Sequence, residues 1–165
     1  MKRKSVRIYS FTGTGSRLAL NLAEKLKQEG YVCTGYTVAR FAEDKRLQRL
    51  NDGWKQEIGA SWGEHALVFI GAAGIAIRAI APFVKDKFTD PPVIVLDEKG
   101  TFAIPLLSGH VGGGVTLAKV LAEYTGGRAV ITTATDVQKK FAADVFAMEN
   151  GLVITAVSYT HLTLP

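Results

Sequence analysis

The chain has 165 residues, 47% of them apolar and 21% charged, enough apolar material for one medium domain with its own core. Its formal charge of +5 favours acidic partners, a polycarboxylate or phosphate ligand as readily as nucleic acid, and no nucleic-acid motif accompanies the charge. No apolar run is long enough for a membrane span, because 66–84 is broken by Gly71, Gly74, Arg78 and Pro82. The basic start passes straight into an amphipathic pattern without a secretory signal's apolar stretch. The one cysteine, Cys33, fits a reducing cytoplasm.

Val6–Phe11 reads as a first buried strand. After Thr12-Gly13-Thr14-Gly15-Ser16, the spacing of Ala19, Leu22, Ala23 and Leu26 predicts a helix ending near Gly30. Tyr31–Val38 is a second strand. Leu47, Leu50, Trp54 and Ile58 mark a second helix, interrupted by Asn51-Asp52-Gly53. Ala66–Ile70 is an unbroken apolar run bounded by Gly71, as in a central strand.

Ile75–Ala81 begins a helix that Pro82 stops, since its ring would collide with the carbonyl of Arg78. Val93–Leu96 and Phe102–Leu107 read as a hairpin about Asp97-Glu98-Lys99-Gly100, with Pro105 pushing the second arm toward an edge. Leu117, Val120, Leu121 and Tyr124 give a helical face opened by Gly112-Gly113-Gly114, and Ala129–Ile131 is a short strand. Phe141–Met148 and Leu152–Ala156 are a last helix and strand. Strands alternating with helices predict a three-layer Rossmann-like α/β domain over 1–156, its sheet mostly parallel with one antiparallel hairpin. Residues 157–165 fit no element in phase with this pattern and read as a non-native tail of a truncated gene model.

Two glycine-rich loops, Gly71–Gly74 and Gly109–Gly114, are expected to floor one site for an anionic small molecule, because bare main chain lets a ligand come close. Successive N–H groups in Ser108-Gly109-His110-Val111-Gly112-Gly113-Gly114 make a nest for a carboxylate or an oxyanion, with His110 as acid or base beside it. The competing reading is a capped turn. Arg78 either grips a carboxylate or covers apolar neighbours with its stem, and Asp90 before Pro91 either joins the site or starts a turn. Thr132-Thr133-Ala134-Thr135-Asp136 follows a strand where open sheets hold ligands.

Gly13-Thr14-Gly15-Ser16 is a weaker candidate. Leu18 stands where a dinucleotide fingerprint has its third glycine, and no acidic residue ends the second strand. Ser108 and His110 lack a third orienting group for a hydrolase triad. His65, His110, His161 and Cys33 lack metal-ligand spacing.

Taken together, Gly71 through Pro82, Lys87-Phe88-Thr89-Asp90-Pro91, Leu106 through Gly113 and Thr132 through Asp136 resemble the N-terminal region of the CbiG family, the cobalt-precorrin-5A hydrolases of anaerobic cobalamin biosynthesis. The resemblance covers about residues 5–155. It departs after the histidine, where the family often has Gly-Gly-Ala-Asn and this chain has Gly113-Gly114-Val115. The resemblance also leads one to expect a further C-terminal domain, for which these residues show no counterpart.

The resemblance implies a carbon–carbon hydrolase that opens the ring A lactone and releases acetaldehyde. Its substrate is a macrocycle fringed with carboxylates that carries its own cobalt, so no protein cofactor or metal site is expected. In such a scheme His110 or Asp90 activates water, and Gly112–Gly114 with Arg78 or Lys87 stabilise the oxyanion. Gly71, Gly74, Ser108, Thr132, Thr133 and Asp136 would contact substrate. A tetrapyrrole-binding module and a nucleotide-binding domain are the alternatives. Nucleic acid and membrane are not expected partners, and a homodimer is left open.

Overall fold

The computed structural model describes residues 5–109 and 113–133. The chain divides into two units, Met1–Val130 and Ile131–Pro165, of which the second is described only at 131–133. The predicted helix at Phe141–Met148, the strand at Leu152–Ala156 and the tail at 157–165 all lie outside the described residues.

In the first unit, strand β1 (Ser5–Ser10) leads into helix α1 (Gly13–Gln28), which returns to β2 (Val32–Thr37). Thr12 caps α1: its backbone is extended and its Oγ1 accepts the N–H of Gly15 at 3.0 Å. Gly13–Ser16 is therefore the first turn of the helix. Leu47 and Leu50 do not share a helix with Trp54 and Ile58. Leu47–Arg49 is a short strand, β3, pairing with Gly35–Thr37, and α2 begins at Trp54 (Trp54–Ala60). The Asn51-Asp52-Gly53 turn breaks the apparent helical period, which spans two elements.

Next come β4 (Ala66–Ile70) and α3 (Ala73–Ile80), which runs into a 3₁₀ turn at Ala81–Phe83 containing Pro82. Then follow β5 (Val93–Leu96), β6 (Phe102–Leu107), α4 (Gly114–Thr125) and β7, which is only Arg128–Ala129. The sheet order is β3-β2-β1-β4-β5-β6-β7. All pairs are parallel except β5 with β6. The predicted mixed sheet and hairpin are present. Pro105 lies beyond the two positions at which β7 pairs with β6, so its missing N–H costs no ladder bond on that side.

Successive residues of β1, β4 and β5 alternate between two cores. Val6, Ile8, Val68, Ile70, Ile94 and Leu96 pack with Leu22 and Leu26 of α1 and Leu117 and Leu121 of α4. Tyr9, Leu67, Phe69, Val93 and Val95 pack with Ile58 of α2 and Ala76, Ala79 and Ile80 of α3. Burial on both faces explains why β4 and β5 read as unbroken apolar runs. The result is three layers, helix–sheet–helix. Among the described residues no helix is long and apolar enough to cross a membrane.

Candidate functional site

β1 has β2 on one side and β4 on the other, so the strand order reverses direction between β1 and β4. In open α/β sheets the carboxyl ends of strands at such a reversal border a crevice. Two loops meet there. A side-chain carbon on Gly15 would lie 3.2 Å from Ile70 Cγ2, and one on Gly71 would lie 3.5 Å from the Phe11 ring. Gly71 has φ +149°, and its N–H donates to the Leu96 carbonyl at 2.8 Å, which ties the loop after β4 to the end of β5.

Beside this point lies an open cleft of about 780 Å³. Its apolar wall is Phe11, Leu50, Trp54 and Ile75. Its cations are Arg49 at the end of β3, Lys55 in the first turn of α2 and Arg78 in α3, against one lining carboxylate, Asp52. Arg78 is exposed, and its Nη1 donates to the Gly74 carbonyl at 3.2 Å. That bond turns the guanidinium back toward the start of α3 and the strand ends. Behind the wall, Tyr9 stacks on Tyr36 and on Phe69, each at 5.1 Å between centroids. Burial pushes the Tyr9 phenol up to about 12, so it stays neutral there.

The described ends of the second glycine loop, Ser108 and Gly109 with Gly113 and Gly114, lie elsewhere. Leu96 pairs with Ala103 and Val93 with Leu107, so β6 runs back along β5 and delivers Ser108 to the opposite end of the sheet. The separation is about the length of β4, five residues at ~3.3 Å each. The expected single floor made of Gly71–Gly74 and Gly109–Gly114 does not form. The hairpin reversal, visible in the sequence, is its physical cause.

At that second end Asp90 is buried. Its carboxylate accepts the Trp62 indole N–H at 3.0 Å and the Lys85 backbone N–H at 3.0 and 3.1 Å. Ser108 adopts φ +50°, uncommon without glycine, and its hydroxyl donates to the Asp90 carbonyl at 2.6 Å. Gly113 has φ +79° and precedes α4, whose first N–H groups reach back: Gly114 to the Ser108 carbonyl at 3.1 Å and Val115 to the Gly109 carbonyl at 2.9 Å. A side-chain carbon on Gly114 would be tightly placed, 3.0 Å from the Leu107 carbonyl oxygen and 3.1 Å from that of Ser108. Lys87 is exposed in the same 84–92 loop, its ammonium 4.8 Å from the Phe88 ring centroid.

The structure thus groups Asp90 with Ser108, Gly113 and Gly114, and separately groups Gly71, Gly74 and Arg78 with the Gly13–Ser16 turn. His110 and Gly112 lie outside the described residues, as does Asp136; Thr132 and Thr133 belong to the second unit, which begins at Ile131. Phe11, Arg49, Trp54 and Lys55 are cleft residues that sequence reasoning missed. Asn51-Asp52-Gly53 was the available signal: read as a turn after a short strand, it puts Arg49 and Lys55 at one sheet end.

Residues 58–136 match the family model described as Cobalamin synthesis G N-terminal. The chain is similar to the CbiG family over this stretch, and to two curated proteins over most of its length. It is 39% identical over 159 residues to a cobalt-precorrin-5A hydrolase of Salmonella typhimurium, a match covering 90% of this chain and 41% of that one. The corresponding protein of Priestia megaterium is 32% identical over 157 residues, covering 92% of this chain and 41% of the relative. The chain therefore spans 41% of the length of these two curated CbiG relatives. The crystal structure of a cobalamin biosynthesis protein G homolog from Sulfolobus solfataricus superposes with a TM-score of 0.60 at 26% identity, over 78% of this chain and 36% of that chain.

Proposed function

We propose that this chain is the N-terminal part of a cobalt-precorrin-5A hydrolase, and that its described unit holds the macrocycle. The enzyme would add water to the ring A lactone carbonyl, open the ring and release the two-carbon unit as acetaldehyde. The observation that carries this reading is the cleft beside the β1–β4 reversal, where Arg49, Lys55 and Arg78 outnumber Asp52 around an apolar wall. Acetate and propionate carboxylates suit those cations. The cobalt travels with the substrate, so the protein itself is asked for no metal ligand. His110 follows Ser108, which lies at the other end of the sheet, so it is proposed as proton donor or acceptor only for a part of the substrate that reaches beyond the cleft. Asp90 has its carboxylate engaged by Trp62 and Lys85, and its backbone carbonyl accepts the Ser108 hydroxyl.

A second reading is favoured by the Val93–Leu107 pairing. With the cationic cleft and the described ends of the Ser108–Gly114 loop a strand length apart, this unit grips the macrocycle while chemistry is completed elsewhere in a longer enzyme. A nucleotide is less suited to the α1 N-terminus, because Thr12 Oγ1 donates to the Glu98 carboxylate at 2.9 Å and that charge opposes a phosphate.

Incubating the chain with cobalt-precorrin-5A, while following acetaldehyde and the absorbance of the macrocycle, tests the proposal. Acetaldehyde release supports the hydrolase, and binding without release supports the gripping unit. Absence of both overturns the functional reading.

A further inference from the structure

We infer that the macrocycle enters the cleft edge-first, one ring face against Phe11 and Trp54 and the carboxylates of the inserted edge on Arg49, Lys55 and Arg78. This rests on the functional reading above and adds an orientation to it. The Phe11 and Trp54 rings stand 5.7 Å apart at 52°, and Tyr9 backs Trp54 at 5.7 Å. A flat conjugated face can stack on one of these rings and meet the tilted edge of the other, and Tyr9 supports Trp54 from its side. The cations come from three different elements, the end of β3, the start of α2 and the middle of α3. A compact anion such as phosphate needs converging donors. Three cations carried on three separate elements suit several acids on a rim.

Size points the same way. Clefts of roughly 300–1,000 Å³ enclose ligands of drug size, and this one, at about 780 Å³, is open along its mouth. One edge fits inside. The remainder projects past the strand ends. Lys55 Nζ lies 5.7 Å from the Trp54 ring centroid, so a ring face on Trp54 brings an edge carboxylate within reach of that ammonium.

The test is an absorbance titration of cobalt-precorrin-5A onto the chain and its variants, with uroporphyrin (many carboxylates) and mesoporphyrin (two) as comparison probes. Expected is a Kd raised about tenfold by Arg78→Ala and by Trp54→Ala, less than about threefold by Trp54→Phe, and tighter binding of uroporphyrin than mesoporphyrin. If Trp54→Ala does not fold, as circular dichroism would show, Lys55→Ala and Phe11→Leu carry the comparison. Binding by the wild type with all variants within about twofold of it overturns the orientation and leaves the functional reading standing. No binding by the wild type overturns both.

Discussion

Val93 faces Leu107 across the antiparallel β5–β6 ladder, and that one pairing decides which glycine loops can share a ligand. It sends Ser108 to the amino ends of the parallel strands, while Gly71 stays at their carboxyl ends beside Leu96. The arrangement leaves Arg78 with Phe11, Trp54 and Lys55, and Asp90 with Ser108.

The junction that sets the far side of the sheet is the most sensitive to volume. A side-chain carbon on Gly127 would lie 2.1 Å from the Gly100 carbonyl oxygen, a backbone atom fixed by the hairpin turn. At Gly35 the nearest atom, at 2.5 Å, is Leu47 Cδ2, the far end of a flexible side chain. Gly127→Ala is expected to cost upward of about 3 kcal/mol and Gly35→Ala about 1 kcal/mol, measured by urea unfolding.

Asp90 accepts hydrogen bonds from a side chain and a main-chain group while almost wholly buried. Asp90→Ala leaves the Trp62 and Lys85 donors without their acceptor and should cost about 1.5–3 kcal/mol. Asp90→Asn keeps an acceptor and should cost less. Equal melting temperatures for the two variants and the wild type would remove Asp90 from the support of this loop.

His65 contributes a pH dependence of known sign. Its Nδ1 lies 2.8 Å from Ser5 Oγ, and burial, with the nearby charge of Arg7, lowers its pKa from the ordinary 6.5. A base with a depressed folded pKa binds its proton more readily in the unfolded chain. Its contribution is therefore present above pH 6.5 and is lost as pH falls through the lower folded value. Urea midpoints should drop on acidification through this window in the wild type and drop less in His65→Gln.

The cap of α1 sits at the sheet reversal itself. Thr12→Ala removes the acceptor for the Gly15 N–H and the donor to Glu98. A loss of about 1 kcal/mol is expected on unfolding. Thr12→Ser should restore most of it.

Much of this fold was legible because each strand of the central sheet has a simple pattern. Ala66–Ile70 and Val93–Leu96 are apolar throughout, and Ala19, Leu22, Ala23 and Leu26 repeat at helical spacing. Leu47–Arg49 was not legible: at three residues it is too short to show alternation, and Leu47, Leu50, Trp54 and Ile58 happen to fall at helical intervals. The glycine loops were found but wrongly joined, since glycine content records local backbone freedom and says nothing of which sheet end a loop occupies. The hairpin held that information, and following its direction to Ser108 would have separated the loops. The cationic cleft was invisible for a related reason. Phe11, Arg49, Lys55 and Arg78 are scattered along the chain, and only the parallel register of β1 through β4 gathers them.

Which end of the sheet takes the acidic ligand is settled most directly by titrating cobalt-precorrin-5A onto Arg78→Glu with Lys55→Glu, and separately onto Ser108→Ala. Expected for the charge reversal is a Kd at least about tenfold weaker than wild type, with wild-type binding also weakening as salt rises, and for Ser108→Ala a change within about twofold. The opposite pattern, binding indifferent to Arg78 and Lys55 but lost with Ser108, would contradict the placement of the site at the β1–β4 reversal.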